Sequence, residues 1–169
     1  AKLHLQKEQY AKAIPLLRGV LALRDTTLAD HRGEARYFLG LSLFHAGEYA
    51  QAASALQQAL EAPAAQAKQY AADAAYLQFK ALEVLAATQT DDDIVQRYDA
   101  AIQTYLTRAP RHGSVFEAHY RQGELLQARG EFPAAITAYQ QVKGDSAFEV
   151  QALFAVTQCY SELLDAAED

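Results

Sequence analysis

Five histidines, a lone cysteine and a run of three aspartates are the residues of this 169-residue chain best suited to chemistry. His4, His31, His45, His112 and His119 are scattered. None falls in a His-Glu-x-x-His pattern, which would put two imidazoles on one helix face toward a zinc ion, and none has a Cys/His ligand spacing. His45 and His119 sit in amphipathic helical stretches, where an imidazole has a surface or packing role. Asp91, Asp92 and Asp93 offer hard oxygen donors, but the glycine and bidentate glutamate of an EF-hand loop are missing at the required spacing. The aspartates read instead as a helix start, their charge complementing the N-terminal dipole. There is no Gly-x-Ser-x-Gly elbow and no glycine-rich phosphate loop, and no carboxylate pair stands out as an acid/base dyad. Cys159 has no second cysteine to pair with, and in "FAVTQCYSEL" it reads as a buried small hydrophobe. No catalytic residue, no metal ligand and no cofactor site is expected.

Composition narrows the partners. At 51% apolar and 21% charged residues the chain is a globular type with enough apolar surface for a core. No stretch approaches 18 uninterrupted apolar residues and "AKLHLQKEQY" has no signal-peptide core, so direct membrane insertion is not expected. The chain does not begin with Met, which leaves open a targeting segment upstream and, with it, the compartment. A net charge of −6 without a Lys/Arg run argues against nucleic acid, which requires a basic stripe.

The elements that would position any site come from a repeat. Residues 34–59, "EARYFLGLSLFHAGEYAQAASALQQA", are echoed by residues 117–142, "EAHYRQGELLQARGEFPAAITAYQQV". One motif, aromatic-x-x-Ala-x-x-x-large, recurs as Tyr10/Ala13/Leu17, Tyr49/Ala52/Leu56, Tyr98/Ala101/Tyr105 and Phe132/Ala135/Tyr139. A second, Ala-x-aromatic, alternates with it as Ala35/Tyr37, Ala74/Tyr76, Ala118/Tyr120 and Ala152/Phe154. Successive alanines are 17 or 22 residues apart, with one step of 27 between Ala74 and Ala101, so the basic unit is 34 residues. Apolar residues within each half follow i, i+3, i+4, i+7, one face of an α-helix, and each unit is therefore a helical hairpin. The alanines let the paired backbones approach while the neighbouring ring fills the groove.

Local signals agree with this reading. Gly47 and Gly130 mark where a first helix stops, and Pro133 lies in the first turn of a second helix, where a missing N–H costs nothing. Thr90 with Asp93 has the spacing of a capping box. Pro15, well inside a helical pattern, predicts a kink or a later helix start. The ten extra residues between Phe79 and Tyr98 predict a longer helix through "AAYLQFKALEVLAA" and an acidic connection over 88–93.

A 34-residue helix-turn-helix unit with these signatures resembles the tetratricopeptide repeat. The family's Leu-Gly pair is matched by Leu39-Gly40, its turn glycine by Gly47, its aromatic by Tyr49, and its Ala and large residue by Ala52 and Leu56. The unit from Glu117 matches through Gly123, Gly130, Phe132, Ala135 and Tyr139, whereas the middle unit departs, with Phe79 in place of the packing glycine. The resemblance implies an all-α fold, a right-handed superhelical solenoid of antiparallel helix pairs. It divides the chain into a partial repeat 1–28, a repeat 29–66, an expanded repeat 67–111, a repeat 112–145 and a partial repeat 146–169. Both ends fall within a repeat, as expected of a segment of a longer array. "Ala-x-Tyr-x-x-Gly" and "QCYSELLDAAED" are similar to repeats of bacterial Tol-Pal-associated and outer-membrane assembly lipoproteins, which tilts the expected compartment toward the periplasm.

The resemblance also implies a concave groove lined by four positions of each first helix. These are Glu34, Tyr37, Leu41 and Phe44; Asp73, Tyr76, Lys80 and Glu83; Glu117, Tyr120, Glu124 and Gln127; and Gln151, Phe154, Gln158 and Ser161. One of the four is aromatic every time, and such a ladder suits an extended peptide or a partner helix. The same rings could belong to the core within each repeat, a choice the sequence leaves open. The expected function is non-catalytic binding of another protein or peptide. The alternatives are a scaffold segment of an envelope or secretion assembly, or a regulatory domain of a larger protein. The Lys/Asn clamp by which chaperone-adaptor members hold a C-terminal carboxylate is missing from these positions.

Overall fold

The computed structural model describes residues 9–23, 31–63, 67–89, 91–144 and 147–168, and among these every regular element is an α-helix, as the periodicity requires. They form two compact units, Ala1–Ala109 and Pro110–Asp169. The first holds α1 (Tyr10–Ala22), α2 (Arg32–His45), α3 (Tyr49–Leu60), α4 (Ala71–Ala86) and α5 (Asp92–Arg108). Each of these packs on the next, and α2 also touches α4, so first helices lie beside first helices. The second holds α6 (Val115–Ala128), α7 (Phe132–Tyr139) and α8 (Glu149–Glu168), with α7 packed on both neighbours.

All eight motif alanines, Ala13, Ala35, Ala52, Ala74, Ala101, Ala118, Ala135 and Ala152, are buried. Close approach is the reason. A Cβ on Gly40 would lie 2.5 Å from Leu56 Cγ, and one on Gly123 would lie 2.4 Å from Tyr139 Cε1, so the glycine of each first helix seats the large residue of its second helix. The turns are as regular. Gly47 and Gly130 adopt φ of 79° and 74°, a left-handed conformation that a side chain disfavours. Gly47 N–H donates to the Phe44 carbonyl at 3.0 Å and Glu48 N–H to Leu43 at 2.9 Å; Gly130 to Gln127 and Glu131 to Leu126 repeat the pattern at 2.9 Å each. The last carbonyls of α2 and α6 are thereby satisfied while the chain reverses.

The insertion is shared between both helices of its hairpin rather than lengthening the first alone. α4 has 16 residues where α2 has 14, the connection grows from residues 46–48 to residues 87–91, and Ala101 is the tenth residue of α5 where Ala52 is the fourth of α3. Most of the added length therefore sits at the start of α5. Phe79 explains why this hairpin tolerates a ring where its neighbours have glycine: it is fully buried, stacked on Tyr98 (5.9 Å, 6°) and on Tyr105 (5.6 Å, 10°). Thr90 lies outside the described residues. The cap that is seen is Asp91, whose carboxylate accepts from Asp93 N–H at 2.8 Å. Pro15 does not delay its helix, since α1 runs from Tyr10 straight through it. Ala11, whose carbonyl loses its helical donor, is on the exposed side together with Pro15, where water can substitute.

Candidate interaction surface

In the first unit the ladder position of α2 is Tyr37, half-buried, its ring stacked parallel on Tyr70 at 5.2 Å and 13°. Tyr70 stands one residue before α4 and is buried; its phenol fits only because position 33 is glycine, where a Cβ would come within 2.2 Å of the oxygen. Burial pushes the Tyr37 phenol up, and the nearby Asp73 carboxylate pushes it further the same way. Glu34 and Leu41 are half-buried and Asp73 is exposed. Phe44 packs edge-on against Tyr49 of α3 (5.5 Å, 76°) and so belongs to the turn end of its hairpin. Tyr76 of α4 is half-buried and leans on Tyr105, the fully buried ring of α5, at 5.6 Å. Lys80 lies over the edge of the core at 5.4 Å from the Phe79 ring centroid and pairs with Glu83.

The second unit repeats the arrangement with different neighbours. Tyr120 of α6, half-buried, is flanked by Tyr139 at 5.7 Å and by Phe148 at 5.2 Å. Phe148 precedes α8 by one residue, just as Tyr70 precedes α4. The Arg121 guanidinium covers both Tyr120 (5.7 Å) and Phe148 (5.8 Å) and holds Glu124 at 2.8 Å. Glu124 is thus half of an ion pair, as Glu83 is with Lys80 in the first unit. Gln127 is committed elsewhere: its Oε1 accepts from the Tyr139 hydroxyl at 2.8 Å. Burial drives the Tyr139 phenol well above its ordinary range, with Glu124 and Cys159 adding to the shift. On α8 the ladder ring Phe154 is 64% exposed, and Gln151, Gln158 and Ser161 are exposed beside it.

The rungs Tyr37, Tyr76 and Tyr120 are therefore neither wholly core nor wholly groove. Each is half-buried, with another ring packed beside it. Tyr70 and Phe148, which provide that packing in two cases, were not among the expected residues. Their signal in the sequence is an aromatic four residues ahead of Ala74 and Ala152. Cys159 is fully buried, its thiol pushed up by that burial, and His119 is held below the usual imidazole range by its own. The buried Cys159 thiol lacks the exposure of a nucleophile.

The decisive comparison is with known families. The tetratricopeptide repeat matches residues 1–68 and 95–149, more than two thirds of the chain. The chain belongs to this family. Residues 69–94 and 150–169 lie outside the match, and the first of these stretches carries Phe79 and most of the inserted residues. No curated protein matches the chain. Tetratricopeptide repeats generally mediate protein–protein interaction, presenting side chains from successive helices to a partner.

Proposed function

We propose that this tetratricopeptide segment is a non-catalytic binding module that takes a polypeptide segment along the first helices of each unit. The observation that carries the reading is the state of the rungs. A half-buried tyrosine wedged against a second ring, as Tyr37 is by Tyr70 and Tyr120 by Phe148, is already ordered, so binding costs little side-chain entropy while one ring edge stays available. The fitting partner has apolar side chains to lie on Tyr37 and Tyr76 in the first unit, or on Tyr120 and Phe154 in the second, and Lys or Arg to meet carboxylates beside the rungs such as Asp73. The direct test compares a peptide selected on the wild-type chain against Tyr37→Ala and Phe154→Ala. Losses of roughly 2 kcal/mol in affinity are expected at a hot spot, and unchanged binding to both variants would remove the first-helix face from the function.

A scaffold reading is favoured by a different observation. Val150, Leu153, Tyr160 and Leu164 are exposed on α8 at heptad spacing, and with Thr157 between them they form one stripe. Such a stripe suits contact with another helix in a larger assembly. Leu153→Glu should abolish any concentration-dependent association seen by sedimentation, and a wild-type chain that stays monomeric throughout would count against this reading. The family match carries no subtype, so a periplasmic setting rests on the wording of "Ala-x-Tyr-x-x-Gly" and "QCYSELLDAAED".

A further inference from the structure

The second helices of the first unit border a surface that the ladder does not use. Between α3 and α5, with α4 beneath, lies a cleft of about 560 Å³; a further cleft of about 390 Å³ between α3 and α5 shares Gln57 and Glu61 with it. On the floor stands Gln78, only 5% exposed. Its Nε2 donates to Gln57 Oε1 at 2.6 Å, and Gln57 Nε2 donates to Glu61 Oε1 at 3.3 Å. The direction of this relay is dictated by its end. A carboxylate only accepts, so the nitrogen of Gln57 faces Glu61, its oxygen faces Gln78, and the oxygen of Gln78 is left over. That oxygen is buried and has no donor. A buried acceptor without a partner is unfavourable, and here it lines an opening.

We infer that this cleft binds an extended polypeptide segment, read through its main chain, with a peptide N–H donating to Gln78 Oε1. The spacing of the walls supports an extended chain. Ser54 and Gln58 on α3, and likewise Gln57 and Glu61, the residue that caps the end of α3, are four residues apart, about 6 Å along the axis. Main-chain groups on one side of an extended chain repeat every two residues, about 6.6 Å, so a segment laid along α3 stays nearly in step with these side chains. Carboxamides and hydroxyls donate and accept, which matches alternating N–H and C=O groups. On the opposite wall Ala100 and Ala101 present only methyls, allowing a backbone to come close, while Arg97 beside them and Arg108 at the end of α5 suit acidic side chains.

The experiment uses a display library of random twelve-residue peptides selected on the full chain. Each enriched peptide is then synthesised with free and with N-methylated alternate peptide nitrogens. Binding is expected to fall at least tenfold on N-methylation, at least tenfold for Gln78→Leu and severalfold for the surface variant Gln58→Ala, while the exposed Lys143→Ala binds as wild type. Gln78→Leu should also unfold at an equal or higher temperature, since it removes the unpartnered oxygen. The inference is overturned if methylated peptides bind equally, if Gln78→Leu and Gln58→Ala both bind unchanged, or if every enriched peptide is lost on Tyr37→Ala or Tyr120→Ala instead. A crystal structure with one fixed water on Gln78 Oε1 in both free and peptide-bound chains would overturn it as well.

Discussion

At the scale of single residues, glycine and tyrosine set the limits. Gly40 and Gly123 are glycines because Leu56 and Tyr139 occupy the space a Cβ would need. Gly40→Ala should therefore destabilise by about 1–3 kcal/mol in urea unfolding, and adding Leu56→Ala should recover part of that loss as a coupling between contacting sites. A fully additive pair would show that the two do not compete for one space. Gly47→Ala meets no neighbour but must hold φ of 79°, so a cost of about 1–2 kcal/mol is expected from the backbone alone. Tyr139 adds a pH dependence. Its folded phenol is raised above the unfolded value of about 10, so the neutral form is favoured in the fold; that stability is complete below pH 10 and is lost as pH climbs through the folded range. Alkaline unfolding curves should flatten in Tyr139→Phe, and an unchanged slope would assign the effect to another group. These glycines and this tyrosine were legible in the sequence as motif positions. Tyr70 and Phe148 were not, because an aromatic ahead of a helix says nothing local about which ring it will meet.

At the scale of elements, the expanded hairpin and the last helix depart most from the repeat. Phe79→Gly restores the family residue in α4, yet it should cost about 3–5 kcal/mol, because it removes a ring held between Tyr98 and Tyr105 and leaves a cavity. A near-neutral result would mean α4 and α5 close up as α2 and α3 do. Native-state hydrogen exchange should protect amides 80–86 at the end of α4 and those near the start of α5 beyond its first turn, since both are helical. The sequence counted the inserted residues correctly but put the added helix mainly in α4. Both helices can absorb length at their connected ends, and helical propensity does not apportion it. In α8, Leu153→Gln should change stability by within about 0.5 kcal/mol, whereas Ala152→Leu, one residue away on the buried face, should cost about 1–3 kcal/mol.

At the scale of the whole molecule, each unit has a core of its own. That of the second gathers Ile136, Tyr139, Val142, Ala155 and Cys159 from α7, the segment after it and α8. Repeat proteins distribute stability over neighbouring elements, so Tyr139→Ala should strip exchange protection from α6, α7 and α8 while α2, α3 and α4 keep theirs. Equal losses in both units would show one cooperative block. The sequence by itself determined the period, the helical type of every segment, the face each alanine turns inward and the two glycine turns. All of these rest on φ/ψ preferences and on contacts within about one helical turn, which a short window contains. Only the tertiary structure decided which candidate groove residues stay available. Gln127 is taken by Tyr139, Phe44 leans on Tyr49, Tyr37 is backed by Tyr70, and Gln78 is left with a buried oxygen. Those outcomes depend on which side chains from separate helices compete for the same hydrogen bond or the same space, and a periodic pattern, identical from repeat to repeat, does not encode that competition.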